Sequence, residues 1–119
     1  MKSIKYDSSH EELIDKKGKH LLSRISSKDN KAIIQSALDF SVRMHEGQKR
    51  KSGLPYVSHC IDVANILLDW NMDYTTIISA LLHDVVEDTS ITVEEIEKNF
   101  NPQVAQLVGG AFKARQDKF

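Results

Sequence analysis

Residues 73–88 read DYTTIISALLHDVVED: an aspartate, then the most apolar stretch of the chain, then a histidine and three carboxylates crowded into its end. Asp73 is suited to cap a helix, because its side chain can accept from the main-chain N–H groups that the first turn leaves without partners. Ile77, Ile78, Leu81, Leu82, Val85 and Val86 follow as an almost wholly apolar helical segment. A helix that is apolar nearly all round belongs inside a core, so this segment is expected to be the central buried helix.

The rest of the chain repeats the helical period around it. Ser9 and Glu12 have capping-box spacing, and Ile14, Leu21 and Ile25 fall on one face interrupted by Gly18. Ser26 and Asp29 mark a second start, ahead of Ile33, Ile34, Ala37, Leu38, Ser41 and Met44. Gly47, Gly53 and Pro55 then break the pattern and enclose the basic run Lys49-Arg50-Lys51 in an expected exposed loop. Val57, Ile61, Ala64 and Leu68 restart it. Thr92 with Glu95 forms another capping box, and Asn101-Pro102 reads as N-cap then N1 before Val104, Leu107, Val108 and Ala111. No segment alternates with period two, so the expected fold class is all-α, a bundle of about six helices. Met44, Cys60, Trp70 and Met72 are read as packing residues.

Composition bounds the function. The 119 residues fit one domain, residues 1–119, that buries roughly two-thirds of the surface of its unfolded chain. Sixteen Lys+Arg against seventeen Asp+Glu give a net charge of −1, without the broad positive field that non-specific nucleic-acid binding uses. Phosphate attraction must therefore be local, and no nucleic-acid partner is expected. Met1 to Lys5 carry no apolar leader segment, and no stretch approaches the roughly 20 apolar residues that span a bilayer. The single cysteine, Cys60, can form no internal disulfide, which fits a cytoplasmic location without a membrane partner.

The chemistry lies where the central helix ends. His83 and Glu87 are four residues apart, as are Asp84 and Asp88, so these groups share neighbouring faces of one turn. Three carboxylates together repel one another unless a cation sits among them. Imidazole nitrogen with carboxylate oxygen suits Mn²⁺, Fe²⁺ or Zn²⁺. A His-Asp pair alone arises often by chance, and so do a basic loop and a histidine near a helix start; it is their conjunction that points to a site. His59 is the candidate second imidazole, because an antiparallel pair of helices would bring the start of its helix beside His83. A metal on His59, His83 and Asp84 would activate water, with Glu87 or Asp88 moving the proton and Lys49, Arg50 and Lys51 facing phosphate oxygens. The reaction type that fits is phosphate-ester hydrolysis.

The stretch from His45 to His59, HEGQKRKSGLPYVSH, followed by LHDVVEDT from Leu82 to Thr89, resembles the hydrolase (HD) domain of RelA/SpoT homologues, over about Ile25 to Val108. That resemblance implies an orthogonal helical bundle with His59, His83 and Asp84 as ligands of a divalent metal, usually Mn²⁺. It implies Glu87 and Asp88 as the water-activating pair, and Arg50, Lys51, Ser52 and Tyr56 as contacts to a guanosine nucleotide. The implied reaction is hydrolysis of the 3′-pyrophosphate of ppGpp or pppGpp, giving GDP or GTP and pyrophosphate.

Three features depart from the family pattern. Cys60 replaces the proline that usually follows the first ligand histidine, an expected change to the helix start alone. Gly109-Gly110-Ala111-Phe112-Lys113 replaces Asp-Gly-Val-Thr-Lys, so 109–119 reads as a divergent tail, and 1–25 reads as an N-terminal helical extension. The fourth ligand, an aspartate in a later Arg-Leu-Ala-Asp-type helix, has no counterpart up to Phe119. The expectation is a partial domain lacking the family's later helices, with weakened activity, or a homodimer that covers the exposed core. The competing readings are an HD phosphohydrolase for another nucleotide such as NADPH, and a catalytically silent nucleotide-binding or interaction module.

Overall fold

The computed structural model describes Tyr6 and residues 8–117, with side chains described up to residue 110. The expectations for Met1 to Lys5 and for the side chains of the 109–119 tail beyond Gly110 therefore lie outside the described residues. Among the described residues six helices follow in order: α1 (Ser8–Ser23), α2 (Lys28–Met44), α3 (Tyr56–Asp69), α4 (Tyr74–Asp88), α5 (Val93–Asn99) and α6 (Pro102–Asp117). Among the described residues there is no strand, only an isolated antiparallel bridge between Lys49 and Pro55. The all-α expectation holds.

The caps show why the helices start where they do. Asp73 accepts from the Thr76 N–H at 2.8 Å, and Asn101 accepts from the Val104 N–H at 2.8 Å ahead of Pro102. Thr92 and Glu95 form the full capping box. Two starts differ from the expected residue by one position. Ser27 rather than Ser26 caps α2, accepting from the Asn30 N–H at 3.3 Å, and α1 begins at Ser8, which puts Ser9 inside its first turn. The Ser-x-x-acid spacing finds each start to within one residue: Ser8 and Ser9 both satisfy it, with Glu11 and Glu12, whereas Ser27 caps α2 although the residue three on is Asn30.

α4 is the central helix, packed against α2, α3 and α6. Ile77, Leu81 and Leu82 are fully buried in a core cluster drawn from every other helix as well, with Leu21, Ile34, Ile61, Ile96 and Val104. Phe40 and Phe100 meet edge to face with centroids 5.7 Å apart and join α2 to the end of α5. On the outer side, Lys17 reaches Asp62 at 2.8 Å and Arg24 reaches Asp69 at 2.6 Å, pinning α1 along α3. These solvent-facing pairs align the two helices and contribute little energy.

The reading of Trp70 and Met72 as packing residues is corrected here. Trp70 is 69% exposed and Met72 41% exposed. Trp70 is the C-cap of α3 and Asn71, with φ 59°, turns the chain into α4. The apolar side chains thus fall on a turn that leaves the bundle surface, where helical periodicity no longer points them inward.

The seven-residue α5 is too short to stand on its own hydrogen bonds. Its capping box is therefore expected to matter: Thr92→Ala should lower stability by about 1 kcal/mol. The midpoint of urea unfolding, compared with the unaltered chain, measures this.

Candidate metal centre

Because α3 and α4 are joined by the short turn at Trp70 to Asp73, they run antiparallel, and the first turn of α3 lies beside the last turns of α4. The contact is direct. Tyr56 donates its hydroxyl to Asp84 Oδ2 at 3.0 Å, and the Cys60 thiol faces the same oxygen at 3.9 Å. Asp84 is 5% exposed, a carboxylate almost wholly removed from water. Such a group is costly unless it is paired or coordinates a cation.

His83 lies on the open side. Its Nδ1 is 3.2 Å from the Ala80 carbonyl oxygen, which can only accept and so suits a protonated Nδ1. In the neutral ring the lone pair is then on Nε2, and Nε2 is 3.1 Å from Asp84 Oδ1. Two lone pairs facing each other at that distance require a proton or a cation between them. Glu87, one turn further on, completes the group: His83, Asp84 and Glu87 each offer one ligand atom, all within 4.8 Å of one another. The main-chain carbonyl on Nδ1 also matches the way metal-ligating histidines are oriented. The donor chemistry and spacing thus fit a small divalent cation.

The other candidate residues are placed as follows. His59 is half-buried in the first turn of α3, its ring 5.9 Å from that of Tyr56. It shares the α3 face of the site but is not among the three residues whose ligand atoms cluster. Asp88 is exposed at the end of α4. Arg50, Lys51 and Ser52 are exposed in the loop between α2 and α3. That loop is a tight turn, closed by Arg50 N–H to Leu54 O at 2.9 Å, Gly53 N–H to Arg50 O at 2.8 Å and Tyr56 N–H to Gln48 O at 2.9 Å. Gly47 and Gly53 supply its positive φ angles, 84° and 90°. Gln48 joins the loop to α4 by donating to the Asp88 carbonyl at 3.3 Å.

Two side chains have a place here that the sequence reading did not assign. Cys60, expected to change only the helix start, has its thiol against Asp84. Burial, with the adjacent carboxylate, pushes that thiol up to about 12 and keeps it neutral. Tyr56, expected as a substrate contact, has its hydroxyl on Asp84; burial first, then the Asp84 charge, raises its pKa and keeps it a donor. Neither role was legible, because each depends on which helix lies across from α3.

With this geometry in place, the chain can be set beside known proteins. Residues 37–118 match the HD domain family. The chain belongs to that family. An 86-residue stretch is 48% identical to the guanosine-3′,5′-bis(diphosphate) 3′-pyrophosphohydrolase of Aquifex aeolicus, covering 72% of this chain and 12% of that protein. Escherichia coli SpoT, named a bifunctional (p)ppGpp synthase/hydrolase, is 49% identical over 75 residues, 63% of this chain and 11% of its own length. A probable GTP pyrophosphokinase of Mycobacterium leprae is 45% identical over 86 residues, 72% of this chain and 11% of its own length. The chain thus spans about an eighth or less of these relatives, and it is an HD domain of the RelA/SpoT kind. Among the described residues no helix is long and apolar enough to cross a membrane.

Proposed function

We propose that this HD domain carries out metal-dependent hydrolysis of the 3′-pyrophosphate of ppGpp or pppGpp, releasing GDP or GTP and pyrophosphate in the cytoplasm. The observation that carries the reading is the His83–Asp84–Glu87 group, with ligand atoms within 4.8 Å of one another at the buried end of α4. The likeness to proteins named for ppGpp hydrolysis supports the substrate class.

In this reading His83 and Asp84, with His59 contributed from α3, hold a divalent cation, Mn²⁺ by the chemistry of the family. When bound, the cation lowers the pKa of a water and supplies a nucleophile near neutral pH. Tyr56 keeps Asp84 in place by donating to Oδ2, so that Oδ1 remains directed toward His83. Glu87 and Asp88 take up the proton of the attacking water and return one to the departing ribose 3′ oxygen. The water oxygen ends on phosphorus as the phosphorus–oxygen bond to the ribose breaks. Arg50 and Lys51 offset charge on the pyrophosphate, and the exposed α2–α3 loop with Ser52 leaves them free to meet it.

Incubation with ppGpp and Mn²⁺, alongside a His83→Ala control, tests the reading. Pyrophosphate should appear with the unaltered chain and only at background with the control. Equal release from both, or none from either, overturns it. Release of inorganic phosphate from NADPH in preference to pyrophosphate from ppGpp would assign the same site to another nucleotide.

A further inference from the structure

The proposed chemistry leaves the segment His45-Glu46-Gly47-Gln48 without a task, yet it holds a polar side chain buried next to the site. His45 closes α2 as its C-cap and is 0% exposed. Its Nδ1 lies 2.8 Å from Gln48 Oε1, while Gln48 Nε2 donates to the main-chain oxygen of Asp88 at 3.3 Å. A carbonyl oxygen can only accept, so the Asp88 contact decides which end of the Gln48 amide is nitrogen. The end facing His45 is then the oxygen, and Nδ1 of His45 must carry the proton. The remaining nitrogen, Nε2, is buried and accepts no hydrogen bond from a described residue.

Both residues also touch the start of α3. The His45 ring is tilted against the Tyr56 ring with centroids 5.2 Å apart, and the Gln48 main-chain oxygen accepts from the Tyr56 N–H at 2.9 Å. Gly47, at φ 84°, makes the bend that turns Gln48 back toward both contacts. Gln48 therefore holds two elements at once, the first turn of α3 by its main chain and the last turn of α4 by its side chain.

The end of α4 needs such a hold. The last carbonyls of a helix have no partner within it. Thr89 closes the main-chain ladder, donating both its N–H at 3.0 Å and its hydroxyl at 2.6 Å to the Val85 oxygen; Gln48 covers the carbonyl of Asp88. Glu87 and Asp88 stand on this turn, and a shift of about 1 Å in a group that orients a reactant costs on the order of 100-fold in rate.

We propose that His45 and Gln48 are positioning residues, a clamp that sets the turn bearing Glu87 and Asp88 at a fixed separation from the turn bearing Tyr56 and His59. The catalytic consequence rests on the hydrolase reading; the clamp itself does not.

Two variants separate its arms. Gln48→Leu removes both side-chain contacts, whereas Gln48→Glu keeps an acceptor for His45 Nδ1–H and loses the donor to Asp88. With ppGpp and Mn²⁺, both should lower kcat by about 10- to 100-fold, the usual scale for partners that orient a metal site, with KM little changed. Amide hydrogen exchange of the metal-free protein should quicken at Val86, Glu87 and Asp88 in both variants while Leu81 and Leu82 stay protected, a pattern that general loss of stability does not produce. Imidazole nitrogen NMR should find His45 as the Nδ1–H tautomer in the unaltered chain and in Gln48→Glu, with the other tautomer gaining in Gln48→Leu. An Nε2–H tautomer in the unaltered chain overturns the clamp. So does unchanged exchange at the end of α4 in Gln48→Leu, or exchange that rises equally along the helix. If the unaltered chain hydrolyses nothing, the hydrolase reading falls, while the exchange and NMR results still decide the clamp.

Discussion

Asp84→Asn should abolish hydrolysis while leaving the metal-free protein as stable as before, or more so. The substitution keeps the shape of a side chain that is 5% exposed and removes its charge. Asparagine Oδ1 can still accept from the Tyr56 hydroxyl, the bond now made by Asp84 Oδ2 at 3.0 Å. Its amide nitrogen then faces His83 Nε2, which stands 3.1 Å from Asp84 Oδ1, and donates to the lone pair there. The proton that the facing His83 nitrogen and Asp84 oxygen need between them in the metal-free protein is then supplied by the amide itself, and the buried carboxylate charge is removed. For function the sign reverses, because an amide oxygen is a poor substitute for an anionic ligand. Loss of one preorganised electrostatic contact costs at least about 100-fold in kcat. The decisive pair of measurements is pyrophosphate release and thermal unfolding with and without Mn²⁺. The unaltered chain should be stabilised by Mn²⁺ through its preferential binding to the folded state, and the variant should lose that response. A variant that unfolds early without metal would contradict this account of the site.

Leu81→Ala should be the most damaging change away from the site. Leu81 is fully buried in α4, the helix that packs against α2, α3 and α6 at once. Removing its branched end leaves a cavity whose walls belong to several helices, so no single element can move in to fill it. The expected loss is about 2–5 kcal/mol, a large part of the roughly 5–15 kcal/mol that stabilises a domain of ordinary size. The midpoint of urea unfolding should fall while the slope of the transition stays the same. A shift in slope instead would mean that the unfolded or native state had changed its compactness.

These two changes sit three residues apart on one helix, and the sequence already distinguishes them. The apolar run from Ile77 to Val86 could only be a buried helix, because no arrangement that left it exposed would hold in water. His83 and Asp84, placed inside that run, had to be either neutralised or paired. That much follows from hydropathy, helical spacing and the cost of burying charge. The caps at Asp73, Thr92 and Asn101 were legible for a related reason: a cap is a contact within three residues, so its partner is known from the sequence.

Contacts between helices were less legible. The helical period assigns Tyr56, Cys60, His45 and Gln48 to no particular neighbour, and the signature stretch marked them as a group without saying what each touches. Trp70 and Met72 looked like packing residues because they are apolar, yet they lie on a turn that the fold leaves outside. Local spacing, burial and charge thus determined by themselves an all-helical chain with a cation-seeking pair at the end of its central helix. Only the tertiary structure decided that Tyr56 and Cys60 face Asp84, and that Gln48 bridges the start of α3 and the end of α4. Those contacts with α4 join residues 24 to 40 positions apart in sequence, so they depend on how the helices are oriented, and orientation is set by the packing of the whole core rather than by any one segment.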